Sequence, residues 1–186
     1  MADVATPPRL AAVVGGDQTL RDALAHRFDD EGLAVTGALA GGRRLDVLVF
    51  IAQGRAQGFA ATPVEAFSRH VGGELRSAFL TLQAGVAAMR AKGAGGSVVF
   101  VAPPSSGSRA FDALQQGLRL LVKAAALELG PEGIRVNIVL PGTGENPLGR
   151  ACAPEDVAAS IAFAASDRAL FMTGADLIVD GGRRVA

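Results

Sequence analysis

No tyrosine and no tryptophan occur among the 186 residues, and cysteine occurs once, as Cys152. The first absence removes the phenol, so a mechanism that needs a phenolic proton donor cannot run on this chain alone. A single cysteine excludes an intramolecular disulfide and fits a reducing compartment, here expected to be the cytoplasm. Excess charge is lacking too: 18 basic and 18 acidic residues cancel to a net charge of zero. No basic block stands out, so nothing supports nucleic-acid binding. Arg, Asp or Gly interrupts the strongest apolar runs before they reach bilayer-spanning length, and no membrane role is expected. The opening MADVATPPRL has no basic start followed by an apolar stretch, so no secretory leader is expected.

What is present is apolar and small. Hydrophobic residues make up 49% of the chain, largely Ala, Val and Leu, which at this length suits one domain with a substantial core. We read residues 1–186 as that single domain, with 1–8 a flexible N-terminus. Arg9 to Val14 reads as a strand, followed by Gly15-Gly16-Asp17-Gln18-Thr19 and a helix to about Glu31 whose apolar face is Leu20, Leu24 and Phe28. Leu33 to Gly37 and Leu45 to Ile51 read as two more strands. Residues 55–63 read as loop, followed by a helix from Pro63 to Val71, the pair Gly72-Gly73, and a longer helix from Glu74 to about Lys92. Leu75, Phe79, Leu82, Val86 and Met89 recur along that longer helix at helical spacing.

The centre of the chain is a strand (Ser97 to Val101), a loop, a helix from Ala110 to Gly130 and a strand from Ile134 to Leu140. This is a βαβ unit, whose strands should be parallel. Its helix is apolar on two sides. Phe111, Leu114, Leu118, Val122, Ala125 and Leu129 form one stripe, while Leu120, Leu121, Ala124 and Leu127 form another, so it calls for two covers. A helix from Pro154 to about Ser166, with proline in its first turn, and a final segment Phe171 to Gly182 complete the chain.

The wording GGSVVFVA, KAAALELGPEGIRVNIVLPG and the closing Thr-Gly…Val-Asp-Gly-Gly resemble the short-chain dehydrogenase/reductase family, in particular its 3-oxoacyl-type reductases. The resemblance implies a Rossmann-like, doubly wound parallel sheet between helical layers, of about six strands. The family's third strand has no room between Gly37 and Leu45, so the expected order is 2-1-4-5-6-7 in the family's numbering. It also places the catalytic set. The family's Asn, Ser, Tyr and Lys positions fall on Glu74, Pro103, Phe111 and Gln115. Ser105, Ser106 and Ser108 follow Pro103, but a serine without a base is a turn residue. Lys123, eight residues after Gln115, lies about 80° around the helix and is a poor substitute for the lysine.

The cofactor turn departs from the family pattern as well. Thr19 and Arg21 stand where glycines would, and Asp17 brings a carboxylate near the anion site. Asp17 or Thr19 also suits a helix N-cap, Thr19 with Asp22 three residues on, and Arg21 could pair with a phosphate. Glu74 suits either a general base or an acidic residue complementing a helix dipole. His26 and His70 read as surface or packing residues, without a ligand set around them. Vestigial cofactor contacts are expected at Gly15, Gly16, Ala52, Pro141 and Gly142, with no cofactor and no metal expected.

The resemblance implies a non-catalytic subunit assembling with itself or with an active family member. One alternative is an NAD(P)-dependent oxidoreductase of 3-oxoacyl-type or other carbonyl substrates with an atypical site. The other is a binding module for a different small ligand.

Overall fold

The computed structural model describes residues 9–37, 39, 44–54, 59–93, 95–104 and 109–185, with the backbone alone for residues 59 and 109–111. The expected flexible N-terminus and Ser105, Ser106 and Ser108 lie outside the described residues. Six strands form one parallel sheet: β1 (Arg9–Gly15), β2 (Leu33–Thr36), β3 (Val47–Ile51), β4 (Gly96–Val101), β5 (Ile134–Pro141) and β6 (Asp176–Val179). Their order is β2-β1-β3-β4-β5-β6, the doubly wound arrangement expected from the sequence with its third family strand omitted. The order reverses between β1 and β3, which makes their carboxyl ends the switch point.

The central strands are buried on both faces, which is why they read as unbroken apolar runs instead of alternating ones. One side, with Leu48, Phe50, Val98, Phe100, Ile138 and Leu140, packs under α3 (Gly73–Lys92) and α4 (Arg109–Leu129). The other, with Val13, Val49, Val99, Val101 and Val139, packs under α1 (Gln18–Asp30) and α5 (Pro154–Ala165) through Leu24, Phe28 and Ile161.

Two helices expected to be separate are one helical path. α2 (Val64–Phe67) runs through a π turn at Ser68–Gly72 directly into α3. Gly72 and Gly73 were read as a break, yet both are right-handed helical, with φ of −67° and −63°. The helical penalty of two glycines is about 2 kcal/mol, small beside the burial of Val71, Ala78, Leu82 and Met89 on either side of them.

The short return from β2 to β3 is anchored at the sheet's amino edge. Asp46 accepts the Leu10 amide at 2.8 Å and pairs with Lys92 at the end of α3, both side chains largely buried. Burial alone would raise the Asp46 carboxyl, but the bonds from Lys92 and Leu10 outweigh it and hold the group below its ordinary value.

The stripes of α4 separate as the spacing requires. Leu114, Leu118, Val122, Ala125 and Leu129 are buried, whereas Leu120 is 69% and Leu127 84% exposed. On α3, Leu82, Val86 and Met89 are buried, but Phe79, at helical spacing with them, is 48% exposed. No helix among the described residues is long and apolar enough to cross a membrane.

Candidate functional site

At the carboxyl ends of the strands lies a crevice of about 800 Å³. Its rim is set by backbone. Gly16 N–H donates to Ile51 O at 3.0 Å, Ala52 N–H to Val101 O at 2.9 Å, Ala102 N–H to Val139 O at 3.0 Å, and Gly142 N–H to Val179 O at 2.9 Å. The sheet ladder therefore continues one residue past β1, β3, β4 and β5, and these four amides already have acceptors. The glycine pair has a packing explanation. Gly15 and Gly16 have φ of +83° and +74°, and a Cβ would stand 2.3 Å from the Ile51 carbonyl oxygen at Gly15 and 2.8 Å from the Ile51 side chain at Gly16. Ile51 fills the space that side chains would need.

The first helix starts at this turn. Asp17, extended at φ −82° and ψ 165°, is its N-cap, and its Oδ1 accepts the Leu20 amide at 2.9 Å. Thr19 lies within α1, so the expected capping box with Asp22 does not form; Asp22 instead accepts from the Gln18 side chain at 2.7 Å. Arg21 is not among the crevice residues. Its Nη2 lies 3.2 Å from where a Cβ on Gly37 would stand, beyond the end of β2.

Of the positions expected to line a cofactor, Gly16, Ala52, Pro141 and Gly142 face the crevice, and Gly15 sits behind it against Ile51. Of the four positions matched to the catalytic set, two line the crevice. Pro103 and Gln115 meet, with Gln115 Nε2 donating to the Pro103 carbonyl at 3.4 Å, a long bond, and Gln115 only 7% exposed. Glu74 is outside the crevice lining. Its Oε2 accepts the Gln53 amide at 3.1 Å, tethering the segment after β3. The helix-dipole reading of Glu74 does not hold, because the helical path begins well before it at Val64. Phe111 lies in the first turn of α4, where its backbone alone is described.

Lys123 is committed elsewhere. Its Nζ donates to the Gly174 carbonyl at 3.1 Å and lies 3.3 Å from Asp176 Oδ1, while Arg119 Nε holds Asp176 Oδ2 at 2.9 Å. Burial opposes the Asp176 charge, but these two cations prevail and keep its carboxyl below the ordinary value. The cluster ties β6 to α4, away from the crevice.

Two lining residues escaped the sequence reading. Asp112 stands one helical turn before Gln115 on α4, a spacing that would have revealed a shared face. Cys152, considered there only for disulfides, lines the crevice ahead of α5 and is half-buried. Burial, then the neighbouring Asp156 charge, pushes its thiol above the usual value, so it is a poor thiolate. Asp156 accepts Arg150 at 2.5 and 2.8 Å and the Ala153 amide at 2.9 Å. The Arg150 bond, then the Ala153 bond, lower its carboxyl to about 2. His26 is exposed on α1 and His70 sits in the π turn, and no metal-holding cluster occurs among the described residues.

The charged residues lining the crevice are Asp17 and Asp112, with no Lys, Arg or His among the described lining residues. Asp17 comes from the α1 face of the sheet and Asp112 from the α4 face.

Comparison with known proteins supplies the rest. A family model described as enoyl-(acyl carrier protein) reductase matches residues 33–145 and 143–184. An L-rhamnose 1-dehydrogenase (NAD(P)(+)) from Azotobacter vinelandii is 36% identical over 149 residues, covering 67% of this chain and 58% of the relative. A trans-4-hydroxycyclohexanecarboxylate dehydrogenase from Sinomonas cyclohexanicum is 36% identical over 137 residues, covering 64% of this chain and 52% of the relative. The chain thus spans little more than half the length of these relatives. Among solved structures, an oxidoreductase of the short-chain dehydrogenase/reductase family from Burkholderia thailandensis superposes with a TM-score of 0.83 at 25% identity, covering 97% of this chain and 94% of that one.

Proposed function

The chain belongs to the short-chain dehydrogenase/reductase family, and on that premise we propose that it is a non-catalytic member, a subunit that assembles with itself or with an active relative. One observation carries the reading: the sequence holds no tyrosine, so the family's phenolic acid/base cannot come from this chain. The matched positions agree with it. Phe111 and Gln115 stand for the Tyr and Lys, and Pro103 and Glu74 for the Ser and Asn. Gln115 is turned to the Pro103 carbonyl, and Glu74 to the Gln53 amide.

The first turn suits a nicotinamide dinucleotide poorly. A pyrophosphate seeks free amides and positive potential at a helix start. Here the Gly16 amide is bonded to Ile51, and the Asp17 carboxylate occupies the N-cap. This turn therefore offers a pyrophosphate less than the family's glycine-rich one would, and on this reading no cofactor is assigned to the site.

The surface supports the assembly half of the proposal. Phe79 on α3 and Leu120 and Leu127 on α4 leave an apolar face open on the single chain. The resemblance places a subunit contact on these same two helices.

A second reading has its own support. Gly16, Ala52, Pro141 and Gly142 line the crevice as they would in an NAD(P)-dependent oxidoreductase, acting on a 3-oxoacyl-type or other carbonyl substrate through another proton donor.

The test is affinity purification from native cells, with native mass spectrometry of the intact complex and a ketone-reduction assay using NADH and NADPH. A stable homo-oligomer or a companion carrying Tyr-x-x-x-Lys, with no turnover by this chain alone, is the expected result. Steady turnover by the isolated chain overturns the reading in favour of the oxidoreductase.

A further inference from the structure

We propose that the crevice at the carboxyl edge of the sheet binds an uncharged, hydroxyl-rich ligand of sugar size, with the Gln115 side-chain amide as its principal hydrogen-bonding partner. The inference goes beyond the subunit proposal and rests on a different observation, a buried amide that the fold leaves half used.

Gln115 is 7% exposed, yet among the described residues its side chain makes one bond, the long one from Nε2 to the Pro103 carbonyl at 3.4 Å. The second Nε2 hydrogen and the oxygen Oε1 take no partner from the described residues. An unpaired buried amide is costly, and Gln115 lines the crevice with Oε1 still open to it. The amide therefore presents a donor and an acceptor together, which is what a hydroxyl group offers in return. Being neutral and buried, it gives little compensation to a ligand charge brought out of water.

The start of α1 adds donors from the other face of the sheet. Asp17 takes the Leu20 amide on Oδ1 at 2.9 Å and the Arg21 amide on its carbonyl at 3.2 Å. The amides of Gln18 and Thr19 have no acceptor among the described residues, and Thr19 lines the crevice. With the Asp17 carboxylate beside them, these amides suit an uncharged oxygen better than a phosphate. Asp112, one turn before Gln115, adds an acceptor on the α4 side. Val101, Pro103, Pro104 and Pro141 supply apolar area for the C–H face of a ring. The volume of about 800 Å³ is within the ordinary range for small-molecule sites.

Coumarin probes test the proposal, because a chain without tyrosine or tryptophan does not absorb where they are excited. Full-length chain is titrated with the β-D-glucoside and β-D-galactoside of 4-methylumbelliferone, with hydroxyl-free 7-methoxy-4-methylcoumarin, and with 4-methylumbelliferyl phosphate, each followed by fluorescence anisotropy. The better glycoside should saturate about tenfold more tightly than the methoxy compound, the effect of two net hydrogen bonds, and more tightly than the phosphate. Gln115→Met, similar in volume but apolar, should weaken the glycoside about fivefold and leave the methoxy compound unchanged. Location is read on the unmodified sequence, so it does not depend on that variant. Saturating glycoside should slow iodoacetamide alkylation of Cys152, the sole thiol and a lining residue, followed by intact mass. No saturable glycoside binding, equal affinity for the methoxy compound, tighter binding of the phosphate, or unaltered Cys152 alkylation overturns the proposal. So does a Gln115→Met chain with native circular dichroism that binds the glycoside as tightly as before. Assembly is read by native mass alone, so this inference and the subunit reading fail separately.

Discussion

The Asp17 carboxylate accepts the Leu20 amide at 2.9 Å, so the side chain that starts α1 also carries negative charge into the crevice. The two roles separate by substitution. Asp17→Ala should lower stability by about 1 kcal/mol, and Asp17→Asn by a few tenths, because asparagine caps nearly as well. Urea unfolding followed by circular dichroism measures both. Equal loss in the two variants would mean that the charge, not the cap, supplies the stabilisation.

Restoring two residues should not restore chemistry. Phe111→Tyr with Gln115→Lys reinstates the family's acid/base pair in sequence, while Asp17 and the bonded Gly16 amide remain at the cofactor turn. We expect no ketone reduction above background with NADH or NADPH. Turnover by this double variant would show that the turn accepts the dinucleotide after all.

Acid should act through the start of α5. The folded Asp156 carboxyl titrates at about 2, against 3.8 for the ordinary group. Because the folded value is depressed, its contribution is fully present above about pH 4 and disappears as pH falls toward 2. Asp156→Asn should therefore flatten the fall of melting temperature between pH 4 and pH 2. The side chain is partly exposed, so the effect is small and weakens further in 0.5 M salt.

The open face of α3 and α4 gives a prediction about assembly. Leu120→Glu with Leu127→Glu should convert an oligomer to smaller species in light scattering. The subunit's own unfolding should move by no more than about 0.5 kcal/mol per site, because both leucines are mostly exposed in the single chain. An unchanged mass would place the subunit contact on another surface.

Much of this architecture was legible because local patterns carried it. The strands from Arg9, Leu33, Ser97 and Ile134 announce themselves as β-rich apolar runs, and the two stripes of α4 follow from a period of 3.6. The contacts that stayed hidden share a cause: each depended on a partner distant in sequence. Glu74 faces Gln53, 21 residues away, and Lys123 faces Asp176, 53 residues away. The π turn at Ser68–Gly72 is likewise held by packing of Val71 against the core, with no local signature to betray it. At the first turn the sequence offered two caps, Asp17 and Thr19, and only backbone geometry selects between them. Gly15 and Gly16 read as remnants of a cofactor site, and their close approach to Ile51 is a packing reason for both that the sequence did not show.

The sheet is unequal at its two margins. β6 is clasped to α4 by Arg119 and Lys123 through Asp176, whereas β2 is four residues long, with β1 its one neighbour among the strands, and with Ala34 and Val35 exposed. Opening should therefore begin at β2. Its amide protons should exchange with deuterium well ahead of those in β3, β4 and β5, giving the native state a one-sided gradient of protection that runs inward from the second strand.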